Sequence, residues 1–170
     1  MSISTKFETF NNNIRISQDN QNKISSRYKQ ITKRLNLDFY GSDSETNHSL
    51  YVGSYGRDTD IHVSDVDMLF QLSYKVYERY NKYSGNKQSA LLQAVKVSLQ
   101  KTYSTSHIKG DGQVIGINFN DGICFEIVPC FINNDNSFTY PDTNNDGNWR
   151  TTNPKPEIKE IGDKNQEWNK

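Results

Sequence analysis

The chain has 170 residues, enough for one domain, and its 20 basic residues are balanced by 20 acidic ones. Zero net charge lacks the basic excess with which proteins grip nucleic-acid polymers. No stretch approaches the roughly 20 apolar residues that span a membrane, and two cysteines, Cys124 and Cys130, cannot build a disulfide scaffold.

The first 20 residues carry no basic-then-apolar export pattern. The reading is a cytoplasmic domain, with no membrane partner and no strong binding to polymeric nucleic acid. In chain order, Ile3, Phe7, Phe10 and Ile14 recur at helical spacing, and Ile24, Tyr28, Ile31 and Leu35 continue it. This predicts N-terminal helices over residues 1–37, broken near Ser17 to Asn20, with Ser17 capping the second. Gly41 to Asn47 reads as a loop, Leu50 to Val52 as a strand leading into Gly53-Ser54, and Val66 to Leu72 as another strand. Helices are expected over Tyr74 to Tyr83 and Ser89 to Tyr103. Val114 to Phe119 and Ile123 to Phe131 read as strands joined by Asn120-Asp121-Gly122, a strong hairpin signal. Phe138 to Tyr140 reads as a short strand, Pro141 to Asn148 as a loop, and Glu160 to Trp168 as a polar helical segment. The order implies a mixed α/β (α+β) domain.

The chemistry concentrates in Gly53-Ser54-Tyr55-Gly56-Arg57 and Ser64-Asp65-Val66-Asp67. On a strand, Asp65 and Asp67 project to one side, while Val66, Met68, Phe70 and Leu72 point to the other, where a core is expected. Two such carboxylates suit hard cations, which relieve their mutual repulsion. Asp-x-Asp alone is also common on solvent-facing strands. Gly53 lets backbone approach a ligand, and N–H groups of the turn can bind phosphate. Glu126 adds a third carboxylate within an apolar strand, where it needs a partner: a cation, or a nearby Lys or Arg. Together the three acids favour a metal centre.

Gly-Ser, ten residues, Asp-x-Asp and a third acid on a later strand resemble the polymerase-β-like nucleotidyltransferase superfamily. The run from Gly53 to Thr59 and on to Asp67 is similar to the subgroup of oligoadenylate synthases and the bacterial cGAS/DncV-like nucleotidyltransferases. The long helical entry, the hairpin from Gln113 to Pro129 and the stretch Gly147 to Pro154 resemble the bacterial branch more closely. The resemblance implies a mixed sheet backed by long N-terminal helices and one further helix. It implies synthesis of cyclic di- or trinucleotide signals from nucleoside triphosphates in anti-phage defence, read by a downstream effector. A linear-product transferase and a non-catalytic nucleotide-binding fragment are the rival readings. Asp65, Asp67 and Glu126 would hold two Mg²⁺ ions, with Mn²⁺ an alternative, and Gly53 and Ser54 would hold the donor phosphates. Asp is the commoner third acid, so Glu126 is a departure. Family members also continue into a helical half. Residues 50–140 therefore read as the catalytic sheet core, and residues 150–170 as the start of a connection to a helical domain that is missing.

Four further readings are weaker. Arg57 meets phosphate or pairs with Asp58 or Asp60, and Gln113 lines an acceptor pocket or starts a solvent-facing strand. Trp149, beside a Gly-rich loop, is read as packing ahead of a base platform. His48, His62 and His107 lack metal-ligand spacing and read as exposed or locally bonded, with contact to substrate the alternative for His62, which lies between the two motifs.

Overall fold

A computed structural model describes residues 2–61 and 65–168, apart from the Asn11 side chain. Two helices, α1 (Ile3–Ile14) and α2 (Gln18–Tyr40), open the chain. The break falls where Ser17 caps α2, its side chain accepting a hydrogen bond from Asn20 N–H. α2 outlasts the sequence periodicity because Gly41, at φ +66°, supplies the left-handed C-cap. Then follow β1 (Ser49–Tyr51), the short α3 (Gly53–Gly56), β2 (Asp65–Gln71), α4 (Tyr74–Asn81) and α5 (Lys87–Gln100). β3 (His107–Asp111), β4 (Val114–Asn118), β5 (Cys124–Ile132), β6 (Phe138–Asp142), β7 (Asn148–Thr152) and α6 (Pro154–Trp168) complete the chain.

The seven strands form one mixed sheet in the order β1-β2-β5-β4-β3, with β6 joined to β5 and β7 to β6. β2 and β5 run parallel at its centre, and the other pairings are antiparallel. α2 and α5 cover one face. There Ile24, Ile31 and Leu35 from α2 and Leu91, Val95 and Leu99 from α5 meet Val66, Met68, Phe70, Ile115, Ile117, Phe125 and Ile127, all fully buried. A smaller cluster of Leu69, Cys130 and Phe138 forms on the opposite face.

The fold is the mixed α/β class that the sequence implies. Three elements were not anticipated: α3, and the strands β3 and β7. Of the five β3 residues only Ile108 is buried, and β7 has none, so neither carries an apolar alternation. Hydrogen bonding to β4 and β6 makes them strands. Among the described residues no helix is long and apolar enough to cross a membrane.

Candidate active site

The site grows from the two parallel strands. β2 alternates between a buried set, Val66, Met68 and Phe70, and an outward set that includes exposed Asp65 and half-buried Asp67. β5 alternates in phase, with Phe125 and Ile127 buried and Cys124 and Glu126 on the outer face. The parallel register pairs Asp65 with Cys124 and Asp67 with Glu126. All three predicted carboxylates therefore stand at one end of one face. Gly116 of β4 lies opposite Glu126 on its other side. A Cβ built there would meet only Lys109 O, at 3.9 Å, so that flank is open.

The turn before β2 is fastened to the same place. Val52 N–H donates to Asp67 O at 3.0 Å, which docks the start of α3 on the aspartate's own backbone. Gly53 then turns at φ +62°. Any Cβ there would run into the Asp67 carboxylate, with Cγ only 2.8 Å away. Glycine is required twice over, by conformation and by space. Gly56 is similarly pressed, since its Cβ would sit 2.5 Å from Tyr51 O. Packed rings adjoin the turn: Tyr28 stacks on Tyr51 at 3.8 Å, and Tyr55 lies tilted against Tyr51 at 4.9 Å. The leading N–H groups of a helical turn lack partners within the turn, and here they belong to Gly53 and Ser54.

The electrostatics are those of crowded acids. Burial, then the neighbouring Asp65 charge, pushes the Asp67 carboxyl above its ordinary range, while Arg57 pulls it back. Burial, then Asp67 and Asp65, raises Glu126. The Cys124 thiol rises through burial and the same three carboxylates. No Lys or Arg forms an ion pair with Glu126 among the described residues, which disfavours the structural salt-bridge reading. Among the described residues no three His, Cys, Asp or Glu side chains are gathered tightly enough to chelate an ion as they stand. The donor set still fits a hard divalent cation: three carboxylates on one face, repelling one another.

Two weaker readings are revised. Arg57 pairs with neither Asp58 nor Asp60 but with Glu157 of α6, Nη1 to Oε1 at 3.5 Å. Gln113 precedes β4 at the far end of the sheet. It donates to Asp142 at 3.4 Å and is not brought to the carboxylates, because β4 meets Glu126 through Gly116, three residues on. Trp149 packs on Tyr77 and Phe131, as anticipated. His48 bonds Asn36 and stacks on Tyr40. His107 Nδ1 lies 3.5 Å from Asn118 Nδ2, and the reading of His62 lies outside the described residues. Sequence reasoning missed Gly116, the tyrosine stack and Glu157. Only Gly116, a glycine within an apolar alternation, left a signal of its own.

The profile of the Second Messenger Oligonucleotide or Dinucleotide Synthetase domain matches residues 1–165. Solved structures share the fold at low identity. The Bradyrhizobium diazoefficiens CD-NTase CdnG in complex with GTP is 16% identical, with a TM-score of 0.66, over 86% of this chain and 42% of its own. Escherichia coli MS115-1 CdnC, in complex with HORMA-deltaN, is 13% identical, with a TM-score of 0.64, over 96% and 50%. The Elizabethkingia meningoseptica CdnE cyclic dinucleotide synthase with GTP and Apcpp is 18% identical, with a TM-score of 0.56, over 85% and 58%. The chain thus spans about half the length of these proteins. No curated protein sequence matches it significantly.

Proposed function

Because the chain belongs to the second messenger oligonucleotide or dinucleotide synthetase family, we propose that it is a nucleotidyltransferase domain that joins nucleoside triphosphates into a cyclic oligonucleotide. The observation that carries this reading is the register of Asp67 against Glu126, with the Gly53 turn pressed on the Asp67 carboxylate. CdnG with bound GTP and CdnE, a cyclic dinucleotide synthase, support nucleoside triphosphates as substrates.

In the proposed reaction a ribose hydroxyl oxygen of one nucleotide attacks the α-phosphorus of another. A P–O bond forms, the bond to pyrophosphate breaks, and the hydroxyl proton passes to solvent; a second attack of the same kind, releasing a second pyrophosphate, closes the ring. Asp65, Asp67 and Glu126 would hold Mg²⁺, with Mn²⁺ able to substitute. When bound, such ions supply charge stabilisation for the entering and leaving oxygens. The Ser54 hydroxyl and the backbone at Gly53 would hold the donor phosphates, and Arg57, the C-cap of the same turn, would add a guanidinium. Tyr28, Tyr51 and Tyr55 keep that turn rigid. Positioning and electrostatics account for most of the acceleration, as in phosphoryl transfer generally. We extend the reading to anti-phage signalling through a product-sensing effector, on the strength of the family resemblance.

The test is mass spectrometry of products after incubation with all four nucleoside triphosphates and Mg²⁺. The expected product is cyclic and resists phosphatase, whereas a phosphatase-sensitive product selects the linear alternative. Asp65→Ala with Asp67→Ala is expected to lower the rate about 10³-fold, the equivalent of about 4 kcal/mol of lost charge stabilisation. Equal product from the parent and this double variant would sink the assignment.

A further inference from the structure

Arg57 faces a carboxylate from a distant part of the chain. Its N–H closes α3 on the carbonyls of Gly53, Ser54 and Tyr55, so the residue is part of the phosphate turn. Its guanidinium faces Glu157 in the first turn of α6 at 3.5 Å, and its charge also reaches Asp67. Ile158 and Ile161 of α6 are half-buried. No residue of the helix is fully buried, and Lys155 adds a cation–π contact 5.0 Å from the Phe138 ring. A cation beside the phosphate turn is thus partly neutralised by an acid borne on an exposed helix.

We propose that Glu157 is a positioning residue that competes with the nucleotide triphosphate for Arg57, so that nucleotide binding and release of α6 are coupled. The proposal rests on the nucleotidyltransferase reading of the Gly53-Ser54 turn. A guanidinium presents a planar fork of donors that matches phosphate oxygens. The Glu157 side chain is 60% exposed, and an ion pair so open to solvent is weak. A triphosphate brings more negative charge to the same turn than one carboxylate does, so it takes the guanidinium. Linkage is reciprocal: whatever the clasp subtracts from nucleotide affinity, the nucleotide subtracts from the hold on α6.

The experiment titrates the 170-residue chain calorimetrically with a nonhydrolysable ATP analogue and Mg²⁺, and follows hydrogen exchange of the α6 amides. Glu157→Gln is expected to tighten binding about three- to fivefold and to speed α6 exchange in the nucleotide-free protein. The analogue is expected to speed the same exchange in the parent chain. In an Arg57→Gln background, Glu157→Gln should leave affinity nearly unchanged. Unchanged or weaker binding by Glu157→Gln, or the same gain without Arg57, overturns the proposal, the latter because net charge alone would then explain it. Binding without this coupling leaves the nucleotidyltransferase reading standing, whereas no binding by any variant overturns both.

Discussion

The two faces of the β2–β5 strand pair differ in what they ask of each side chain. On the helix-covered face, Val66, Met68, Phe70, Phe125 and Ile127 are all fully buried. They are held by the shape and volume of their neighbours. On the other face the same strands present Asp65, Asp67, Cys124 and Glu126 at one end and the small apolar patch of Leu69, Cys130 and Phe138 further along. The acids gain nothing from packing and repel one another. Stability is concentrated on one face, which leaves the other free to hold groups that the fold by itself does not favour. A strand period of two makes this division available residue by residue.

Substitutions on the two faces should therefore act in opposite directions. The largest effect is expected from Phe125→Ala on the covered face, a loss of about 3–5 kcal/mol of unfolding free energy in denaturant titration. A cost below about 1 kcal/mol would show that this face is not the stabilising one. Gly53→Ala falls between the faces. The left-handed conformation costs about 1–2 kcal/mol with a Cβ present, and the methyl group displaces the Asp67 carboxylate. Lower stability and lost nucleotide affinity are expected together, and full affinity would separate the turn from the site.

The smallest effect has the opposite sign. Asp67 is raised in the folded protein, so between its unfolded and folded pKa values the native state binds more protons than the unfolded one. Stability then falls as pH rises through that window. Asp67→Asn removes that loss and should stabilise the metal-free protein at pH 7 by under about 1 kcal/mol, because solvent reaches and screens the group. The gain should vanish near pH 3, where the carboxyl is protonated in both states. Thermal unfolding across pH reads this directly, and a destabilised Asn variant at pH 7 would contradict the repulsion.

Much of the fold was legible because particular residues carry strong local signals. Ser17 stops one helix and starts the next, the buried alternation of β2 shows in Val66, Met68 and Phe70, and Asp121-Gly122 marks the turn into β5. β3 and β7 carried no such signal, since pairing rather than burial makes them strands. The spacing of Gly53, Ser54, Asp65 and Asp67 was visible in the chain, and so was the misplaced charge of Glu126. The partner of Arg57 was not, because Glu157 lies in a polar helix whose docking no periodicity records.

By itself, the sequence determined which residues alternate, where helices start and stop, and which carboxylates are costly enough to need a reason. It could not set Asp67 beside Glu126. That pairing comes from the parallel register of β2 and β5, and register follows from how two apolar faces meet the helices above them. A slip of one residue would turn the acids into the core. The tertiary structure decided that these acids share one end of one face, that the Gly53 turn closes on Asp67, and that an acid from α6 reaches Arg57.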